Sequence, residues 1–133
     1  MFLLDTMAVS ELDQPRPNQG VVDWFSTADW SDLYLSVITV GEIWQGISRL
    51  PDGKKRRALE ASFDLMPERF PGRILAVDFA IAIRYGELQA LAGPLPTLDT
   101  LIGATAIVHR LTVITRNTGV IARTGARIHD PWT

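Results

Sequence analysis

Short apolar runs that alternate with segments of helical spacing constrain the fold of this chain most strongly. The first run, Phe2-Leu3-Leu4, predicts a buried strand that stops at Asp5. Strands that alternate with helices favour a parallel sheet with right-handed crossovers. We therefore predict an α/β fold, a central five-stranded parallel sheet flanked by helices on both faces. The predicted strands are residues 2–4, 33–38, 74–77, 111–115 and 127–129.

The predicted helices begin at polar residues or turns between these strands. Thr39 is the expected N-cap of a helix that runs to Ile47, and Thr97 that of a largely buried helix over 98–109. The predicted helical segments are 7–12, 18–28, 39–47, 52–66, 78–91 and 97–109. No linker or repeat divides the 133 residues, so we expect one domain, 1–133.

Composition limits the classes of protein to consider. Apolar residues make up 47% of the chain, which is typical of a globular protein rather than a disordered one. The absence of cysteine excludes disulfides and thiolate metal sites. No signal peptide or apolar run of roughly 20 residues is present. We therefore expect a cytoplasmic protein that does not enter the membrane.

Three acids stand where predicted strands end or helices begin. Asp5 follows the first strand, Glu42 lies in the helix after the second, and Asp99 lies near the start of the most apolar helix. In parallel sheets these positions converge on one crevice, where ligands bind. Without cysteine, clustered carboxylates suit Mg²⁺ or Mn²⁺, which can activate a water against a phosphodiester.

Each acid also has a purely structural interpretation. Asp5 is a suitable N-cap for the helix that follows it. Glu42 stands three residues after Thr39, the spacing of a capping box. Asp99 would interact favourably with the dipole of its own helix. For each acid the structural role and metal binding can both hold, because helix starts and strand ends share one edge of such a sheet.

Several segments, in this order, resemble the PIN domains, and in particular the VapC/FitB-type toxins of bacterial toxin–antitoxin pairs. The matching segments are Leu3-Leu4-Asp5-Thr6, Ile38-Thr39-Val40-Gly41-Glu42-Ile43, Leu98-Asp99-Thr100-Leu101-Ile102-Gly103-Ala104-Thr105-Ala106, Thr115-Arg116-Asn117 and Asp130-Pro131-Trp132. The resemblance implies a Mg²⁺- or Mn²⁺-dependent endoribonuclease that forms a homodimer and is held inactive by a VapB-like antitoxin. The expected substrate is tRNA or another structured RNA.

By the same resemblance, Asp5, Glu42 and Asp99 are the catalytic acids, and Asp5 and Asp99 hold the metal. Thr115, Arg116 and Asn117 are candidates for substrate binding; Arg116 can fork onto a phosphate. Thr115 ends the fourth predicted strand, and the other two follow it.

Two departures from the family pattern concern the metal site. Met7 replaces the usual Asn of the first motif, and Val120 stands where a fourth acid is common. Val cannot bind a metal, so we expect weakened metal affinity. The alternative function is a catalytically weakened module that acts mainly through antitoxin binding and dimerisation.

Two other interpretations bear on function. A phosphotransfer domain on a similar sheet would need a second Asp where Met7 stands, or a Lys after the last strand, and neither is present. The basic run Lys54-Lys55-Arg56-Arg57 is either a solvated helix face or an RNA-phosphate contact.

Overall fold

A five-stranded parallel sheet organises the protein. The computed structural model describes residues 1–133, and the strands lie in the order β3-β2-β1-β4-β5. All neighbouring strands pair in parallel, which confirms the predicted sheet. The strands are β1 (Phe2–Leu4), β2 (Leu33–Ser36), β3 (Ile74–Leu75), β4 (Thr112–Ile114) and β5 (Ile128–His129).

Eight helices connect and flank the strands. They are α1 (Thr6–Glu11), α2 (Gln19–Thr27), α3 (Val37–Ser48), α4 (Lys54–Asp64), α5 (Met66–Arg69), α6 (Phe79–Ala92), α7 (Thr97–His109) and α8 (Thr118–Ala122). A single 3-10 turn, Trp30–Asp32, precedes β2. No single helix is long and apolar enough to cross a membrane; α6 and α7 reach that length and composition only as a pair bent by 118°.

The sheet separates two hydrophobic clusters because successive side chains of a strand point to opposite faces. Leu4 belongs to one cluster, which includes Val21 of α2 and Met66 of α5. Leu3 belongs to the other, with Ile102 of α7 and Val113 of β4. Helices therefore cover both faces, as the sequence predicts, and β1 lies at the centre.

The junction between β2 and α3 differs from the prediction. The strand ends at Ser36, and the Ser36 hydroxyl accepts a hydrogen bond from the amide of Ile38 at 3.0 Å. The helix therefore begins at Val37, and the predicted N-cap at Thr39 is wrong. Because Thr39 lies inside the helix, Glu42 lies in its second turn and is not part of a capping box.

Other boundaries move for similar local reasons. The helix predicted over 52–66 is two helices, α4 and α5, with Pro67 in the first turn of the second. Gly53 rather than Asp52 precedes α4, and Pro96 rather than Thr97 is the N-cap residue of α7. The last four predicted strands are shorter than predicted by one or two residues at one or both ends.

Candidate functional site

Asp5, Glu42 and Asp99 all lie in elements that start at the carboxyl edge of the sheet. Asp5 directly follows β1 and is the N-cap of α1. Glu42 lies in α3, which continues from β2, and Asp99 lies in the first turn of α7. Since β1 and β2 are neighbours, the ends of these elements border one crevice.

Asp5 is the most enclosed of the three acids. Its side chain caps α1 by accepting a hydrogen bond from the Ala8 amide at 2.8 Å, and the residue is only 8% exposed. Burial raises the pKa of Asp5, while hydrogen bonds from the Thr115 hydroxyl and the Ala8 amide lower it. The negative charges of Asp99 and Glu42 raise the same pKa further. Asp5 therefore interacts electrostatically with both other acids.

A short hydrogen bond fixes Glu42. The Thr6 hydroxyl donates to Oε1 of Glu42 at 2.8 Å, which joins the first turn of α1 to α3. Because Thr6 is the residue after Asp5, this bond brings the Glu42 carboxylate to the same turn that holds Asp5. The second carboxylate oxygen of Glu42 makes no hydrogen bond within the protein.

The residues after β4 border the third acid. The side-chain amide of Asn117 lies 3.5 Å from Oδ2 of Asp99, at the outer limit of a hydrogen bond. The Thr115 hydroxyl accepts a hydrogen bond from the backbone N–H of Asn117 at 2.9 Å. Burial raises the pKa of Asp99. The predicted substrate residues Thr115 and Asn117 thus lie beside the acids, and Arg116 between them is exposed.

The two departures from the family pattern occupy different positions. Met7 is 46% exposed in the first turn of α1 and has no polar atom to support Asp5 beyond weakly accepting sulfur. Val120 lies in the short helix α8, half-buried, on the segment that follows Asn117. The β4 side of the crevice therefore offers hydroxyl and amide oxygens but no carboxylate.

The three acids have no cationic partner in the protein. The only salt bridges join Arg56 to Glu60, Arg57 to Asp52, and Arg84 to Glu87. No group of three or more His, Cys, Asp or Glu side chains lies close enough together to coordinate a metal ion by itself. This donor set fits Mg²⁺ or Mn²⁺, because Mg²⁺ usually binds one or two carboxylates and keeps several waters.

An apolar groove, which the sequence alone does not predict, opens beside Glu42. It has a volume of about 670 Å³ and lies between α1, α3, α4 and α5. Thr6 and Glu42 line the end next to the crevice, and Lys55 lies on its rim. Its apolar lining includes Val9, Leu12, Ile43, Leu59 and Phe63.

A sequence signal for this groove exists in α4. Leu59, Ser62 and Phe63 recur at helical spacing, a pattern typical of residues that face a core, yet α4 buries none of its residues. They line the groove instead. In the basic run at the start of α4, Arg56 bonds Glu60 at 2.7 Å and the carbonyl of Leu50 at 3.0 Å. Those contacts agree with a helix face rather than with an RNA contact for Arg56.

Comparison with known proteins identifies relatives over the whole chain. A family model described as the PIN domain matches residues 2–126. The toxin FitB of Neisseria gonorrhoeae is 38% identical, with 99% of each chain covered. A VapC ribonuclease of Sinorhizobium fredii is 33% identical, covering 99% of this chain and 98% of the relative. The crystal structure of FitAcB from Neisseria gonorrhoeae superposes with a TM-score of 0.94 at 37% identity and covers 99% of both chains.

Proposed function

This chain belongs to the PIN-domain family, and from that premise we propose that it is a divalent-cation-dependent endoribonuclease toxin controlled by a partner antitoxin. One observation carries the proposal: short contacts join both other acids to the surroundings of Asp5, and no basic side chain pairs with any of the three. Thr6, the residue after Asp5, bonds Glu42 at 2.8 Å. Asn117, which bonds Thr115 beside Asp5, lies 3.5 Å from Asp99. Such clustered carboxylates repel each other unless a cation is bound. The similarity to a VapC ribonuclease supports RNA as the substrate.

In this proposal Asp5 and Asp99 hold the cation, and Glu42 orients water beside it. When bound, the cation supplies a water of lowered pKa and offsets charge on the phosphate. Glu42 retains one free carboxylate oxygen for this task, since Thr6 occupies the other. Asn117 is placed to orient the RNA backbone, and the exposed Arg116 can bind a phosphate through its planar guanidinium. Thr115 is completely buried and supports Asp5 through a hydrogen bond.

The test is cleavage of a purified tRNA pool with Mg²⁺, with Mn²⁺ and with EDTA. We expect cleavage only with the metals, and a loss of at least about 100-fold in Asp99→Asn, because several kcal/mol of transition-state stabilisation disappear. Asp64→Asn, which removes an exposed acid of α4, is the matched control and should cleave normally. Equal cleavage in EDTA would reject the metal mechanism.

A second candidate function follows from Val120 on the β4 side. Because a fourth carboxylate is absent there, the alternative is a module that cleaves poorly and acts through partner binding. The two functions differ in whether restoring an acid at position 120 raises cleavage.

We further propose that the antitoxin covers the apolar groove. An open apolar groove of about 670 Å³ beside a charged crevice is typical of a binding surface. Its occupant would lie directly against Glu42 and Thr6, and would exclude RNA from the acids. The complex named FitAcB, to which this structure is similar, supports a protein partner.

The groove can be tested with two neighbouring positions of α4. Ala58 is exposed and lines the groove, whereas Ala61 is exposed and does not. When the product of the neighbouring reading frame is co-expressed, Ala58→Glu should fail to retain it, while Ala61→Glu should co-purify with it. Retention by both variants would place the antitoxin elsewhere.

The homodimer implied by the family remains a proposal, and α6 is its candidate surface. Phe79 is 83% exposed and Leu91 87%, while only Ile81 of this helix is buried. Its two charged residues, Arg84 and Glu87, pair with each other at 3.2 Å. A nearly neutral apolar face suits a second copy of the same surface.

Sedimentation of Phe79→Glu should show a monomer where the wild-type protein sediments as a dimer. Leu65→Glu alters another exposed apolar residue, 45% exposed at the end of α4, and should not change the sedimentation. A dimer that survives Phe79→Glu would move the interface away from α6.

A further inference from the structure

Three oxygen-bearing side chains follow one face of α3 from the end of β2. Ser36, Thr39 and Glu42 are spaced three residues apart, and residues at this spacing are neighbours on a helix surface. Ser36 and Glu42 both have hydrogen-bond partners, the Ile38 amide at 3.0 Å and the Thr6 hydroxyl at 2.8 Å. Thr39 lies between them.

The Thr39 hydroxyl has no partner in the protein. The residue is completely buried, and Oγ1 of Thr39 is one of two buried side-chain polar atoms without a hydrogen bond, the other being Nε1 of Trp132. A buried hydroxyl left unpaired lowers stability, and a valine of the same shape would avoid that cost. A native group of this kind calls for a partner that is not protein, such as an ordered water or an ion.

The strand register places the start of the helix that carries Thr39 level with Asp5. Phe2 pairs with Leu33 and Leu3 with Tyr34, so the same register continued brings Asp5 level with Ser36. Glu42, one turn beyond Thr39, is hydrogen-bonded to the residue that follows Asp5. The unpaired hydroxyl therefore belongs to the face of α3 that is turned toward the base of the acid crevice.

We propose that Thr39 binds an ordered water at the base of this crevice and, through it, supports cation binding by Asp5 and Asp99. The inference rests on the proposed function, because that function supplies the cation. Buried waters typically make about three hydrogen bonds to groups that would otherwise be unpaired, and a hydroxyl with carboxylates beside it meets this requirement. Thr39 is a positioning residue: it acts on the site only through the water.

Calorimetric titration with Mn²⁺, together with thermal unfolding in EDTA, tests the proposal. Thr39→Val removes the hydroxyl and keeps the shape. We expect its Kd for Mn²⁺ to rise by about 10-fold, the usual effect of losing a group that supports metal ligands. Its melting temperature in EDTA should fall less than that of Thr105→Val, because only a hydrogen bond to water is lost. Thr39→Ser keeps the hydroxyl and should bind Mn²⁺ like the wild type.

Thr105→Val is the matched control. Thr105 is also completely buried, in α7, but its hydroxyl donates to the Leu101 carbonyl at 2.7 Å. This variant should melt at a lower temperature than the wild type and bind Mn²⁺ normally.

Three results would overturn the inference while leaving the proposed function in place: unchanged Mn²⁺ affinity in Thr39→Val, an equal loss in Thr39→Ser, or a melting temperature of Thr39→Val in EDTA that falls as far as that of Thr105→Val. A wild-type protein that binds no Mn²⁺ and cleaves no RNA rejects the proposed function, and the inference falls with it.

Discussion

The two sides of the carboxyl edge hold their polar residues very differently. After β1 and β2, Asp5 and Glu42 are each fixed by a hydrogen bond of 2.8 Å and belong to helices that begin with side-chain caps. After β4, the Asn117 side chain reaches Asp99 only at 3.5 Å, and the five-residue helix α8 has no side-chain cap. The first side carries carboxylates held by short hydrogen bonds, and the second carries no acid and reaches Asp99 only through a long contact.

This difference assigns different tasks to the two sides. A cation requires negative ligands that stay in place, which the β1 and β2 side provides together with Asp99. RNA needs neutral and basic groups that adjust to its backbone, which Arg116 and Asn117 provide. Thr115 is completely buried and bonds Asp5 instead. The experiments below remove or reverse the asymmetry, beginning with the largest expected effect.

The strongest test compares Asp5→Asn with Thr115→Val. Asn still caps a helix, so Asp5→Asn should fold, but it should cleave at least about 100-fold more slowly because a negative ligand is lost. Thr115→Val removes only a neutral partner of Asp5 and should cost roughly 10-fold. Rates of tRNA cleavage at saturating Mg²⁺ give the comparison. Equal losses would show that both sides contribute alike to the metal site.

Val120→Asp should make the two sides more similar. A carboxylate in the first turn of α8 adds a negative group beside the crevice, and we expect Mn²⁺ affinity to rise by roughly 10-fold, or 1.4 kcal/mol. Val120→Asn, which adds no charge, is the control. If the wild type already cleaves as fast as Val120→Asp, the weakened-module alternative fails.

The bond between Thr6 and Glu42 should be measurable as a coupling energy. In a double-mutant cycle with Thr6→Val and Glu42→Gln, urea unfolding in EDTA should give about 1 kcal/mol, since the pair is charged but only partly buried. The corresponding cycle for Asn117→Ala and Asp99→Asn, on the long contact, should give a value near zero. A larger coupling energy for Asn117 and Asp99 than for Thr6 and Glu42 would contradict the difference between the two sides of the edge.

The smallest effect concerns pH. Burial raises the pKa of Asp5 and of Asp99 above the ordinary value of 3.8, so the folded state binds these protons more tightly than the unfolded state does. In EDTA the free energy of unfolding should therefore fall as the pH rises from 3.8 through the raised pKa values. Asp5→Asn should flatten this dependence, and Asp64→Asn should not.

Much of this architecture follows from the local sequence. The order of strands and helices is predictable because short apolar runs and capping residues such as Asp5 and Asn18 act within a few residues, and both cap their predicted helices. The start of α3 was not predictable, because Ser36 and Thr39 are both good N-caps. Only the length of the pairing between β2 and β3, which ends at Ser36 and Leu75, decides between them.

The sequence indicates the candidate acids for the same reason, since each stands at the start of a helix or after a strand. It predicts neither the groove nor the unpaired Thr39 hydroxyl. Both depend on how α1, α3 and α4 pack together, and helical spacing alone does not tell a residue that lines an open groove, such as Leu59, from one that fills a core.

Asp5 is both the N-cap of α1 and a proposed cation ligand, and this combination links the crevice to the groove. One of its oxygens already holds the start of α1, and α1 also forms a wall of the groove through Val9 and Leu12. An occupant of the groove that shifts α1 must therefore change the affinity of Asp5 for a cation. By thermodynamic linkage, binding of the cation changes the affinity of the groove for that occupant by the same factor. Inhibitor release and metal loading would then be two sides of a single equilibrium.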